Sequence, residues 1–122
     1  MTALGDRDNV DVSTLPPYVL ALKERIAYLP EAQVERVLQA FRIGAKAHEG
    51  QSRKSGEPYI THPVAVAGIL AELGLDTETI IAAILHDTLE DTELSREALA
   101  GEFGEEVAEL VDGVTKLDKM RF

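Results

Sequence analysis

Apolar residues recur along this chain at intervals of three and four, the spacing that lines one side of an α-helix. From Pro16 onward, Val19, Leu22, Ile26 and Leu29 form such a stripe, with Lys23, Glu24 and Arg25 on the other side. Pro30 breaks that segment and can open the next, because proline is tolerated in a first turn. The second segment, about Glu31 to His48, places Val34, Leu38, Phe41 and Ala45 on one stripe, and Gly50 is its stop. Gln51 to Thr61 reads as a loop punctuated by Gly56 and Pro58. His62 and Pro63 open a third helix that runs to about Leu73 and is closed by Gly74. Asp76 or Thr77 caps a fourth, which carries Thr79, Ile80, Ile81, Ala83, Ile84 and Leu85 and ends near Glu90. Ser95 caps a short fifth helix to Phe103. Beyond Gly104 a sixth presents Val107, Leu110, Val111 and Val114 as its buried stripe. No segment sustains the period-two alternation of a half-buried strand. The pattern predicts an all-α domain of about six helices over residues 15–122, preceded by a polar leader at 1–14.

Composition narrows this picture. Aromatic residues are only 5% of a chain that is 45% hydrophobic, so the core must be built from Ala, Val, Ile and Leu. Cysteine is absent, which excludes disulfides and thiolate chemistry. The formal charge of −10 runs against non-specific nucleic-acid binding, and no DNA partner is expected. An acidic chain can still take an anionic substrate where the site itself holds a cation. The first residues carry Asp6, Arg7, Asp8 and Asp11 rather than an apolar signal core, and charges interrupt every apolar stretch before membrane-spanning length. No membrane partner and a cytoplasmic location are the expectation.

Three groups of residues could carry chemistry. His62, His86 and Asp87 are of the types that ligate a divalent transition metal. His86 and Asp87 point about 100° apart on an ideal helix, but can converge on an ion above the groove between them. The plain alternative is a solvated helix end. Against it, the doublet follows the apolar run Ile80 to Leu85 and so lies against a core, where a polar pair needs partners. Glu90 and Asp91 come one turn beyond His86 and Asp87, in position to activate or orient a water. Acids at a helix C-terminus oppose its dipole, and a bound cation would offset that. Arg53, Lys54 and Ser55, with Lys46 and His48 shortly before, make a local basic cluster suited to phosphate or a base, partly neutralised by Glu49 and Glu57. Thr115, Lys116, Asp118, Lys119 and Arg121 could reach a ligand or complement a helix end.

The order of these motifs is specific. The run from His48 through Arg53-Lys54-Ser55-Gly56-Glu57-Pro58-Tyr59 to His62-Pro63, then His86-Asp87-Thr88-Leu89-Glu90-Asp91, closely resembles the hydrolase domain of RelA/SpoT homologues. Phe103 to Leu117 is similar to the same family, and the resemblance covers roughly Tyr28 to Phe122. It implies an HD-type helical fold and Mn²⁺-dependent removal of pyrophosphate from the ribose 3′ position of ppGpp or pppGpp, giving GDP or GTP. It further implies His62, His86 and Asp87 as metal ligands, Glu90 and Asp91 acting on the attacking water, Arg53 stacking on guanine, and Lys54 and Ser55 lining the nucleotide site. A fourth ligand, an Asp in a segment resembling Asp-Arg-Leu-His-Asn, is not among these 122 residues. The chain thus reads as the front part of a hydrolase domain. Any synthetase domain or ribosome association would belong to parts of a parent outside it. Two alternatives stand beside this reading: an HD phosphohydrolase acting on another nucleotide, and a non-catalytic helical module with regulatory duty.

Overall fold

A computed structural model describes residues 15–120, with side chains through residue 116. The leader expected at 1–14 and Arg121 lie outside the described residues, as do the side chains of Asp118 and Lys119. The six expected helices are present, with one additional turn. They are α1 (Pro17–Arg25), α2 (Glu31–Ala47), α3 (Thr61–Glu72), α4 (Thr77–Leu85), α5 (Thr88–Asp91), α6 (Arg96–Phe103) and α7 (Glu105–Met120).

Helix α4 is the hub. It buries Ile80, Ile81, Ala82, Ile84 and Leu85 and packs against α2, α3 and α7. A helix this apolar on several sides can exist in water only when other helices surround it. α2 supplies Val37, Leu38, Ala40 and Phe41, α1 supplies Val19 and Leu22 while packing on α3, and α7 contributes Val107, Ala108 and Val111. Gly44 lets α2 approach closely, since a Cβ there would stand 3.0 Å from Ile60 Cδ1 and 3.5 Å from Leu85. Turn chemistry follows the sequence: Ser95 Oγ accepts from the Ala98 N–H at 3.0 Å as an N-cap, and Gly104 takes a φ of +102° where α6 gives way to α7.

Two expectations need correction. The fourth helix does not run unbroken to Glu90. α4 stops at Leu85, and α5 begins at Thr88. Side chains replace the backbone bonds at this junction: Thr88 Oγ1 donates to the Leu85 carbonyl and His86 Nδ1 to the Ala83 carbonyl, both at 2.7 Å. The stripe of the sixth helix is also narrower than its apolar residues suggest. Val107 and Val111 are fully buried, but Leu110 and Val114 are 37% and 39% exposed. They flank a largely apolar groove of about 310 Å³, shared with Val66, Leu70 and the rings of His62 and His86. The helix face that enters the core instead includes Ala108 and the buried Thr115.

Candidate functional site

The α4–α5 junction gathers the polar residues. His86, just past the end of α4, donates its Nδ1–H to the Ala83 carbonyl, which fixes the ring and leaves Nε2 as its other polar atom. That Nε2 lies 3.2 Å from Asp87 Oδ2, and the two side chains are only 20% and 15% exposed. An imidazole nitrogen and a carboxylate oxygen this close are satisfied either by a proton on Nε2, as an ion pair, or by a cation that both atoms ligate. The first turn of α3 brings the His62 ring to 6.4 Å from the His86 ring, centre to centre. His86 and Asp87 thus adjoin with the His62 ring nearby, but among the described residues these three are not a set whose ligand atoms all lie within 4.8 Å of one another. A donor set of two imidazoles and a carboxylate fits a divalent transition metal.

The segment between α2 and α3 is more ordered than a plain loop. Ser52 and Pro58 form an antiparallel bridge, the Arg53 N–H donates to the Glu57 carbonyl at 2.8 Å, and the Tyr59 N–H to the Gln51 carbonyl at 3.0 Å. Gly56, at a φ of +92°, makes the reversal. This small hairpin holds Arg53, Lys54 and Ser55 exposed at its tip, around a hollow of about 540 Å³ that Tyr59 and Glu57 complete. Ser55 Oγ is engaged with Glu57 at 3.4 Å.

Glu90 and Asp91 are exposed on α5. The Asp91 N–H bonds to the Asp87 carbonyl at 2.9 Å, so one helical turn does separate the two acids despite the broken helix. Asp91 lines a second hollow together with Lys46 and Gln51.

Four residues outside the nominated set build the site: Tyr59 and Gln51, to which the sequence reading gave no role, His48, which it set beside the basic cluster, and Thr115, which it left between reaching a ligand and complementing a helix end. Tyr59 donates its phenol O–H to Asp87 Oδ2. Burial first, and the bond to Asp87 second, push the Tyr59 hydroxyl well above the ordinary tyrosine value, so it remains a donor. The buried His48 stacks on the Tyr59 ring at 4.7 Å and donates from Nδ1 to Gln51 Oε1 at 3.0 Å. Gln51 Nε2 in turn donates to the Asp91 carbonyl at 3.0 Å. Thr115 reaches from α7 to the His86 carbonyl at 3.2 Å. The signal for Tyr59 was its place three residues before His62. Nothing in helical periodicity marks a loop tyrosine as a partner for a carboxylate 28 residues on.

A different cluster satisfies distance alone. Among the described residues, Asp76, Glu78 and Glu106 have carboxylate oxygens within 4.8 Å of one another at the N-terminal end of α4, with Asp76 and Glu106 exposed.

Residues 40–122 match the family described as HD domain. The bifunctional (p)ppGpp synthase/hydrolase SpoT of Escherichia coli strain K12 is 60% identical over 95 residues, covering 78% of this chain and 14% of that protein. The guanosine-3′,5′-bis(diphosphate) 3′-pyrophosphohydrolase of Haemophilus influenzae is 64% identical over 80 residues, 66% of this chain and 12% of that one. A probable GTP pyrophosphokinase of Mycobacterium leprae is 55% identical over 106 residues, 87% of this chain and 13% of its own length. The chain spans about one seventh of the length of the curated relatives it matches. The helical architecture, the His-Asp doublet at its hub and these matches agree: the chain belongs to the HD-domain family, in the branch that the RelA/SpoT homologues represent.

Proposed function

We propose that this chain forms part of a Mn²⁺-dependent hydrolase that removes the 3′-pyrophosphate of ppGpp or pppGpp, releasing GDP or GTP. The observation that supports the reading is the contact of His86 with Asp87, with the His62 ring nearby and the hairpin that bears Arg53 and Lys54 joined to Asp87 through Tyr59. HD domains bind divalent metals, and relatives at 60% and 64% identity bear the names of (p)ppGpp hydrolases. Mn²⁺ is the member of that class proposed here.

In this reading His62, His86 and Asp87 hold the metal, which supplies charge to polarise the phosphate and to lower the pKa of water. The chain's own residues do the remaining work. Arg53 stacks on or pairs with the nucleotide, and Lys54 and Ser55 offer a point charge and a hydroxyl to its phosphates. Glu90 and Asp91, one turn beyond the ligands, orient the attacking water and accept its proton. The water oxygen bonds to the 3′-linked phosphorus, the bond from that phosphorus to the 3′-oxygen breaks, and the 3′-oxygen leaves as a hydroxyl once it takes a proton, so that GDP or GTP and pyrophosphate part. Residues 15–122 form the corresponding unit of the domain.

The test is pyrophosphate release from ppGpp with and without Mn²⁺, on the full-length protein and on its Asp87→Ala variant. Mn²⁺-dependent release that falls at least about 100-fold in the variant is expected, beyond the loss typical of groups that only support a ligand. Undiminished release by Asp87→Ala would sink the proposal. Release from simple nucleoside triphosphates but not from ppGpp would move it to another nucleotide.

A further inference from the structure

We propose that Tyr59 is a positioning residue, which sets the Asp87 carboxylate for its cation and ties the basic hairpin to the metal-holding junction. The inference rests on the metal reading above and extends it to a residue with no part in that ligand set.

Asp87 needs such a partner. It lies just past the end of α4, and its short side chain is not held by a helical cap, since Asp87 makes no side-chain bond to the first turn of α5. Its Oδ2 stands 3.2 Å from His86 Nε2, and the direction it takes there decides how the two can share a cation. The Tyr59 O–H donates to that same oxygen and fixes its direction. A carboxylate with one oxygen fixed by a donor has fewer orientations to lose when it takes up a cation, so its affinity rises.

Tyr59 can act this way because it is itself fixed on several sides. Its N–H closes the hairpin on the Gln51 carbonyl at 3.0 Å, and its ring packs on His48 at 4.7 Å. The His62 ring stands 6.4 Å from it, edge-on. The next residue, Ile60, is buried in the core at 4% exposure. The same hairpin grips the far end of the junction through Gln51 Nε2, which donates to the Asp91 carbonyl. His48, only 2% exposed, holds Gln51 in register with its Nδ1–H. One short loop therefore braces the α4–α5 turn at both Asp87 and Asp91, and carries Arg53 and Lys54 at its other end. Tyr59 also lines the hollow beneath that tip. Whatever displaces the tip strains the brace on Asp87, and whatever frees Asp87 loosens the tip.

The experiment compares the full-length protein with Tyr59→Phe, which keeps the ring and its packing and removes only the donor. Tyr28→Phe is the control, because Tyr28 makes a comparable bond from its hydroxyl to the Leu75 carbonyl at 2.6 Å, away from the site. Mn²⁺ binding is measured by calorimetry on metal-free protein with no nucleotide present, and ppGpp hydrolysis is followed separately across Mn²⁺ concentration. Tyr59→Phe is expected to raise the Mn²⁺ dissociation constant by about 10-fold or more, in the range seen when a supporting partner of a ligand is lost. Its kcat should fall at low Mn²⁺ and recover as Mn²⁺ saturates, while Tyr28→Phe keeps the native constant. A Tyr59→Phe protein with unchanged Mn²⁺ affinity overturns the inference, as does a weakening that Tyr28→Phe shares. The calorimetric arm needs no substrate, so absence of ppGpp hydrolysis would defeat the functional reading while the role of Tyr59 was still decided by metal affinity.

Discussion

The two ends of α4 hold carboxylates for opposite reasons. At the N-terminal end, Asp76, Glu78 and Glu106 crowd within 4.8 Å of one another, which on distance alone is the better cation site. Yet that crowding has an ordinary cause. Acids belong at a helix N-terminus, where they meet the positive end of the dipole, and Arg36 pairs with Glu78 at 3.2 Å. Just past the C-terminal end, Asp87 opposes the α4 dipole and is largely withdrawn from water, 3.2 Å from His86 Nε2, while Glu90 and Asp91 belong to the separate turn α5. Proximity of acids is therefore a weak guide to a metal site. A largely buried carboxylate set against imidazole nitrogen, the donor types that a transition metal takes, is the stronger one.

The largest effect should separate these ends directly. His86→Ala is expected to abolish Mn²⁺-induced thermal stabilisation of the full-length protein, whereas Asp76→Asn with Glu106→Gln should leave it intact. The reverse result would transfer the metal to the N-terminal cluster. Next, Leu85→Ala removes a fully buried side chain from the last turn before the doublet. It should cost about 2–5 kcal/mol in urea unfolding. Arg36→Ala should cost less, about 1–3 kcal/mol, by leaving the Phe103 carbonyl and Glu78 without their guanidinium partner, with Mn²⁺ affinity unchanged. The smallest effect concerns alkaline pH. The native state keeps the Tyr59 proton above the ordinary value of 10.0, so the folded protein binds a proton that the unfolded chain releases. That contribution is present below pH 10 and fades as pH rises beyond it, so Tyr59→Phe should flatten part of the alkaline loss of stability.

Much of this architecture was legible in the residues. Pro30, Gly74 and Gly104 mark real boundaries, and Ser95 is a real cap. His62, His86 and Asp87 stood out as candidates because metal ligands are drawn from few residue types and the motif order was distinctive. The break after Leu85 was not, because apolar spacing says nothing of Thr88 and His86 competing for backbone carbonyls. Leu110 and Val114 misled for a related reason. Periodicity reports that a helix face is apolar, not whether a neighbour covers it. The hairpin was hidden too, since its single bridge is too short to show alternation.

The brevity of α5 has a consequence for motion. A helix of one turn, Thr88 to Asp91, cannot stand alone, and it persists through the Thr88 and Thr92 hydroxyls and the Gln51 amide. Its amides should exchange with deuterium through local opening long before those of Ile80 to Leu85, which open only with the whole core. Glu90 and Asp91 therefore ride on a turn that can breathe, while His86 and Asp87 sit where the slow-exchanging lattice begins.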